Sequence, residues 1–368
     1  MRITAVEVFK YDLAYKHGPY AMSQGRTQTS QPSLVAKVST DDGLAGWSET
    51  SMLGRVHLTA FFESERAALP VLAESVLGLD PRNAGVIQSV MAKTLLAGMA
   101  AKCAIDTACL DIAGKASGVP VSTLLGGKQQ ERVKVWESIP LLDPKAIAGH
   151  FASTVPKGVS VFQIKVGNDP YEDAERVAAL VEAASPGSLI VADANGGWNL
   201  QNAIIAAREM AEQRIFLEQP CKSLSNCAEV MRRSNLPMIM DESIGSLEDL
   251  INVKIHVGAG GVNIKPSKLG GLTPARLLRD VATELGMMVT IDDTWGGALT
   301  TAALSHLAVS AKPDALLATT FFTELAVPHI ANAPFRDSEG FGSAPAGAGL
   351  GVEVDEKLLG EPLFRIAV

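Results

Sequence analysis

Residues 189–243 read LIVADANGGWNLQNAIIAAREMAEQRIFLEQPCKSLSNCAEVMRRSNLPMIMDES. Three short apolar runs, Leu189–Ala192, Ile215–Leu217 and Met238–Met240, each stop at a carboxylate: Asp193, Glu218 and Asp241. Between them lie stretches with apolar residues at helical spacing, such as Leu200–Glu212. Strand, helix and strand in steps of 23 to 25 residues is the rhythm of a parallel β/α fold. The rhythm continues outward. Val133–Ile139 and Val161–Val166 precede this stretch, and Gly261–Ile264, Met287–Ile291 and Leu316–Thr320 follow it. Helical segments such as Asp173–Ala184 and Pro274–Leu285 separate them. Eight strands in this pattern predict a parallel β/α barrel.

The first third of the chain reads differently. Ile3, Val6 and Val8 begin a strand and Ser33 to Val38 form another. Asp41-Asp42-Gly43 is a turn, and Leu44 to Ser48 returns from it. Residues 14–31 form a long polar loop with Gly18, Pro19 and Gly25, of the kind that serves as a functional lid. Residues 57–118 are rich in Ala and Leu at helical spacing, with no proline between Pro81 and Pro120. Strands followed by helices predict an α+β domain.

Composition narrows the function classes. In 368 residues, 47% are hydrophobic and 20% charged, the balance of a soluble, cored protein rather than a disordered or fibrous one. A net charge of -8 offers no footprint for a phosphate backbone, so no nucleic-acid partner is expected. No apolar run reaches membrane-spanning length, so no membrane partner is expected either. The first residues alternate like a strand and carry no cleavable leader pattern. Four cysteines without Cys-x-x-Cys spacing read as thiols in a reducing compartment, and the expected location is cytoplasmic.

Polar residues end successive strands: Lys165, Asp193, Glu218, Asp241, Lys265 and Asp292-Asp293, with gaps of 28, 25, 23, 24 and 27 residues. In a β/α barrel the C-terminal strand ends converge on one mouth, so these residues become neighbours. Three carboxylates in register repel one another unless a cation cancels them. Oxygen ligands suit magnesium, with manganese as the alternative, and the lack of an adjacent Cys or His argues against zinc. The bland alternative is that each carboxylate caps the helix after it. Side-chain alternation puts Gln163 and Lys165 on one face of their strand and Phe162 and Ile164 on the other. Lys165 and Lys265 then flank the carboxylates from opposite sides. Desolvation and a nearby cation lower a lysine pKa and make it a base near neutral pH; the alternative is a salt bridge to a neighbouring carboxylate. Lys268 is expected to pack at the rim. Such a layout suits removal of the proton α to a metal-held carboxylate by one lysine. The other lysine could return a proton to the opposite face or protonate a leaving group.

At this point the motifs resemble the enolase superfamily, specifically its muconate-lactonising-enzyme-like subgroup within the mandelate racemase/muconate lactonising enzyme family. The carriers are Phe162-Gln163-Ile164-Lys165-Val166-Gly167, Asp193-Ala194-Asn195-Gly196-Gly197-Trp198, Leu217-Glu218-Gln219-Pro220, Asp241-Glu242-Ser243, Ile264-Lys265-Pro266-Ser267-Lys268-Leu269-Gly270-Gly271 and Asp292-Asp293-Thr294-Trp295-Gly296-Gly297. The resemblance covers the whole chain. It implies a modified (β/α)7β TIM-type barrel with an N-terminal α+β capping domain, divided as 1–125 (cap), 126–324 (barrel) and 325–368 (a C-terminal segment packing back on the cap). It implies Mg2+ on Asp193, Glu218 and Asp241, Lys165 and Lys265 as acid/base groups, and a homo-oligomer between dimer and octamer.

The subgroup commonly carries Lys-x-Lys on the second barrel strand; here the first position is Gln163. Gln163 together with the Asp292-Asp293-Thr294-Trp295-Gly296-Gly297 segment is similar to members acting on proline betaines and hydroxyprolines. The expected substrate is therefore a small carboxylate, and the expected reaction is racemisation or epimerisation of an amino-acid derivative such as a proline betaine, a hydroxyproline or an N-substituted amino acid. The alternatives are β-elimination by a cis-3-hydroxyproline or other hydroxy-acid dehydratase, then cycloisomerisation, and outside catalysis a metal-dependent binding or scaffold barrel. Asn195, Tyr20, His57 and Phe321 join Gln163 as candidates for substrate contact or for support of the metal site. Asp292 either meets a substrate ammonium or caps a helix. His306, on an apolar helical stretch, reads as a packed core histidine, and Gly347-Ala348-Gly349-Leu350-Gly351 as a turn.

Overall fold

The computed structural model describes residues 1–54, 59–332 and 334–368. The chain opens as an antiparallel meander of β1 (Ile3–Tyr15), β2 (Ser30–Thr40) and β3 (Ala45–Ser51). The β2–β3 turn uses Gly43 at φ 86°, backbone that favours glycine. Val6, Val8, Leu34, Ala36 and Val38 of the sheet pack on α1 (Phe62–Val76), α2 (Ala84–Thr94) and α3 (Met99–Ser117). Helix α3 is buried continuously from Ala100 to Gly114, as befits a helix covered on all sides. Within the 14–31 loop, Tyr20–Ala21 and Thr27–Gln28 pair as a small hairpin. The loop lies on the barrel: the Gln24 amide donates to Asn168 Oδ1 at 2.9 Å, and Leu141 N donates to Ala21 O at 2.9 Å.

The barrel strands are β4 (Glu137–Ile139), β5 (Val161–Lys165), β6 (Leu189–Asp193), β7 (Ile215–Glu218), β8 (Met238–Met240), β9 (Gly261–Ile264), β10 (Met288–Ile291) and β11 (Leu316–Thr319). They form one eight-stranded parallel sheet in chain order. A parallel bridge between Val135 and Thr319 joins its first and last strands. Each crossover carries a helix: α4 (Ile147–Thr154), α5 (Pro170–Ala183), α6 (Leu200–Glu209), α7 (Leu224–Arg233), α8 (Leu247–Asn252), α9 (Leu272–Glu284) and α10 (Ala298–Val309). No α-helix follows β11 among the described residues, so the architecture is the modified (β/α)7β barrel with an α+β cap. The first strand is shorter than its apolar run predicts. Val133–Lys134 turns away to pair with Phe341–Gly342. The short β12 (Ala326–Val327) and β13 (Phe364–Ala367) both pair with β1.

Strand alternation sorts the barrel side chains. Phe162, Ile164, Ala192 and Leu217 face the helices. Val191, Ile239, Leu317, Leu189, Phe216 and Met288 meet in a separate apolar cluster inside the barrel. The polar residues two places further along these strands, among them Asp193, Glu218 and Asp241, therefore stand above an apolar plug.

The cap domain closes two barrel helices in trans. Helices α9 and α10 start after Gly271 and Gly297, which offer no side-chain cap. Asp106 of α3 accepts from Thr273 N at 3.0 Å, and Glu49 of β3 accepts from Thr300 N at 3.2 Å. A carboxylate is the favoured group at a helix N-terminus. A Cβ on Gly271 would collide with Asp106, and one on Gly297 with the Tyr11 hydroxyl. The elements that follow β9 and β10 are thereby fastened to the first domain. His306 is a packed core residue: its Nδ1 accepts from Ser122 N at 3.3 Å, and its Nε2 lies 3.1 Å from Leu350 O. The four cysteines are free and buried. No helix among the described residues is long and apolar enough to cross a membrane.

Candidate active site

Parallel pairing sets the site. The register aligns Lys165 with Asp193 and Asp193 with Glu218, so three successive strands end at one level. Asp241 and Lys265 each follow the last residue of their strands, β8 and β9. Burial is nearly complete: Asp193 and Glu218 are 0% exposed, Asp241 1%, and Lys165 and Lys265 7% each.

The charges are paired in a definite way. Lys165 Nζ lies 2.5 Å from Asp193 Oδ2. Lys265 Nζ lies 2.6 Å from Asp241 Oδ2 and 3.5 Å from Asp292 Oδ2. Among the described residues Glu218 meets no ammonium directly; Gln163 Nε2 donates to its Oε2 and Asn263 Nδ2 to its Oε1, both at 2.9 Å. Burial alone would lower both lysine pKa values, as the sequence suggests. The carboxylates reverse the outcome, with Asp193 the strongest influence on Lys165 and Asp241 on Lys265, and both lysines end above their ordinary value. Each ammonium has a carboxylate as its nearest charge, and that contact outweighs the effect of burial. Burial, then Asp193 and Asp241, push the Glu218 carboxyl well up. Burial and Asp241 take Glu242 up to about 7.

Among the described residues, no three His, Cys, Asp or Glu side chains stand close enough to hold a metal ion as they are. Asp193 and Asp241 are each engaged by a lysine instead. The donor chemistry nevertheless fits a hard cation. Asp193, Glu218 and Asp241 are all oxygen donors. The buried oxygens Asn195 Oδ1, Glu242 Oε2 and Asn263 Oδ1, from the same strand ends, have no hydrogen-bond partner.

The remaining candidates divide. Asn195, at φ 47°, donates from its backbone to Asp193 Oδ1 and from Nδ2 to Asp193 Oδ2, both at 2.8 Å. Non-glycine residues in this left-handed region are uncommon, and such strain concentrates at functional sites. Asp292 accepts from the Thr320 hydroxyl at 2.5 Å, beside Lys265. Tyr20 is buried within the electrostatic reach of Lys165, Asp193 and Asp292, and burial pushes its hydroxyl pKa up. Phe321 does not join it, for its ring packs against Gly342. The aromatic partners are instead Tyr15, Trp295 and Phe322. Ring centroids lie 5.0 Å apart for Tyr15–Tyr20, 6.0 Å for Tyr20–Trp295 and 5.7 Å for Trp295–Phe322. Trp295 Nε1 is buried without a partner. His57 lies outside the described residues. Lys268 is not an idle rim residue: its Nζ donates to Asp241 O at 2.6 Å and lies 3.3 Å from Asp241 Oδ1.

Sequence reasoning gave no role to Asn263 or Gln219 and placed Lys268 at the rim. Inward alternation with Lys265 marks Asn263. Gln219, at φ 34°, ties two strand ends together: its Oε1 accepts from Asp241 N and Ser243 N at 3.0 and 3.3 Å, and its Nε2 donates to Cys221 O and Ser243 Oγ. Only its place beside Glu218 hints at this.

Comparison with known proteins sharpens the reading. Residues 5–126 match the mandelate racemase/muconate lactonizing enzyme N-terminal domain, and residues 147–358 the enolase C-terminal domain-like family. The chain belongs to the mandelate racemase/muconate lactonizing enzyme family of the enolase superfamily. It is 35% identical to the cis-3-hydroxy-L-proline dehydratase of Roseibium aggregatum, covering 99% of this chain and 100% of that one. It is 30% identical to the N-succinyl-L-Arg/Lys racemase of Bacillus cereus, covering 85% of each. A family crystal structure from Roseovarius nubinhibens ISM superposes with TM-score 0.94 at 34% identity, over 100% of this chain and 99% of that one. An enolase-superfamily structure from the same organism, complexed with magnesium, superposes with TM-score 0.93 at 32% identity over 100% of both chains. Family members with other activities, including muconate cycloisomerases, match less closely, at 27–29% identity.

Proposed function

We propose that the chain removes the proton α to the carboxylate of an amino-acid derivative, with Lys165 and Lys265 as the proton-carrying groups and Asp193, Glu218 and Asp241 as ligands of Mg2+. The observation that carries this reading is the pair of buried lysines, each seated on a different outer carboxylate, with Glu218 between them. Magnesium, when bound, supplies a double positive charge that offsets the negative charge growing on the substrate carboxylate as the proton leaves. The chain does the rest. Lys165 Nζ and Lys265 Nζ approach the reacting carbon from opposite sides; one takes the α-proton and the other delivers a proton to the opposite face. That is a 1,1-proton transfer, and it inverts the centre. The similarity to racemases supports it.

Asp292, with the rings of Tyr20 and Trp295 nearby, suits a substrate ammonium or ring nitrogen, through charge and cation–π attraction. The apolar plug below and the docked 14–31 loop above keep water from the carbon.

A specific observation favours β-elimination as the second reading: the 35% identity to a cis-3-hydroxyproline dehydratase runs the length of both chains. In that case one lysine takes the α-proton and the other protonates the departing hydroxyl. Proton NMR in deuterated buffer with magnesium separates the two. A panel of proline, hydroxyproline and betaine derivatives and N-acyl amino acids is incubated with the protein. Loss of an α-proton signal with the skeleton intact supports epimerisation, and new vinylic or keto signals support the dehydratase. Silence across the panel, with proven magnesium binding, would remove amino-acid derivatives from consideration.

A further inference from the structure

Glu218 differs from the carboxylates on either side of it. Asp193 and Asp241 each face an ammonium, whereas Glu218 faces two carboxamides. Gln163 reaches it from β5, two strands before, and Asn263 from β9, two strands after. Each bonds a different oxygen at 2.9 Å. Gln163, Glu218 and Asn263 are 3%, 0% and 1% exposed. In the ionised form that would hold a cation, the carboxylate only accepts, and both carboxamides turn their NH2 groups toward it. Asn263 does so while leaving its own Oδ1 without a partner. A buried acceptor left unpaired is costly, so the contact with Glu218 outweighs that loss. Beneath lies the apolar cluster of Val191, Ile239 and Leu317, which offers Glu218 no other donor.

We infer that Gln163 and Asn263 are positioning residues that hold Glu218 as a metal ligand; the inference rests on the metal site proposed above. Each carboxylate oxygen has two lone pairs. The carboxamides take one on each oxygen and fix the plane of the group, leaving the other two for a cation. A neutral donor is the suitable choice here. A carboxamide fixes the geometry and leaves the charge in place.

Magnesium titration calorimetry on the full chain tests this, with the metal alone as probe. Gln163→Met and Asn263→Leu keep volume and remove the donor. Each is expected to raise the magnesium dissociation constant about 10- to 100-fold, the usual effect of losing a group that orients a metal ligand. Metal-free thermal unfolding should fall modestly, because one buried oxygen of Glu218 loses its donor, and the loss of magnesium affinity should exceed what that fall accounts for. Asn263→Ser, whose shorter side chain can donate to Glu218 through one water, should bind magnesium more tightly than Asn263→Leu and carries the test if the larger changes disturb folding. Dissociation constants within about two-fold of wild type overturn the inference. So does weakened binding that merely tracks a loss of metal-free stability. Wild-type protein that binds no magnesium overturns the metal site itself, and this inference with it.

Discussion

Asp106→Ala removes a cap that one domain lends to the other, and its effect can be worked from the contacts. Asp106 is 1% exposed and accepts from Thr273 N at 3.0 Å and Gln88 Nε2 at 2.8 Å. Gln88 Nε2 keeps its bond to Gly270 O at 2.9 Å, so it is only partly orphaned. Thr273 N loses its cap altogether, since Gly271 has no side chain to substitute. Loss of an N-cap costs about 1 kcal/mol, and a buried donor left unpaired costs about 1–3 kcal/mol. Burial already pushes the Asp106 carboxyl pKa up, so removing the charge returns part of this. The net expectation is about 2 kcal/mol, or roughly a 30-fold rise in local opening. Hydrogen exchange of the Thr273 amide in the native protein reads it directly. Exchange should accelerate by about that factor across the start of α9, the helix after Lys265, and much less in α5, on the far side of the barrel. Unchanged exchange at Thr273 would refute the reasoning, because the amide would then have some other partner.

The remaining predictions can be stated briefly. Lys165→Ala and Lys265→Ala should each abolish turnover while circular dichroism and magnesium binding persist; full activity in either would end the two-lysine reading. Asp193→Asn should weaken magnesium binding in calorimetry, and wild-type activity in excess chelator would contradict the metal assignment. Burial lowers the pKa of His306 from 6.5 to about 4. Between these values the unfolded chain binds a proton that the folded chain does not. Its contribution, about 3 kcal/mol, is complete above about pH 6.5 and lost as pH falls toward 4. Denaturant unfolding across this range should show that slope, and His306→Gln should flatten it. Gly297→Ala should destabilise the protein by about 1–3 kcal/mol, since its Cβ would collide with the Tyr11 hydroxyl, and thermal unfolding would register it.

Period and spacing were enough to read the barrel, because each strand end repeats one chemical event, a polar residue closing an apolar run. Lys165, Asp193, Glu218, Asp241 and Lys265 were legible for that reason, and the parallel register then brings them to one level. What stayed hidden depends on distance in three dimensions. Phe321 and Phe322 are adjacent, and nothing local says which ring meets Trp295. The bend that sends Phe321 under Gly342 is set by a segment some twenty residues on. The caps at α9 and α10 were equally invisible, because their carboxylates, Asp106 and Glu49, stand 167 and 251 residues from the amides they serve.

The pairing of charges has the same origin and a chemical consequence. Local reasoning assigns the lysines a depressed pKa from burial and a nearby cation, and burial does act in that direction. It could not weigh the opposing fields of Asp193, Asp241 and Asp292, which only the closed barrel assembles. Three ammonium groups, Lys165, Lys265 and Lys268, contact Asp193 and Asp241, while Glu218, between them, is held by amides alone. Positive charge therefore gathers at the edges of the carboxylate row and is missing at its centre. An incoming cation would meet the least compensated carboxylate there. Substitution at Gln163 or Asn263 tests the part that this uneven distribution of charge plays.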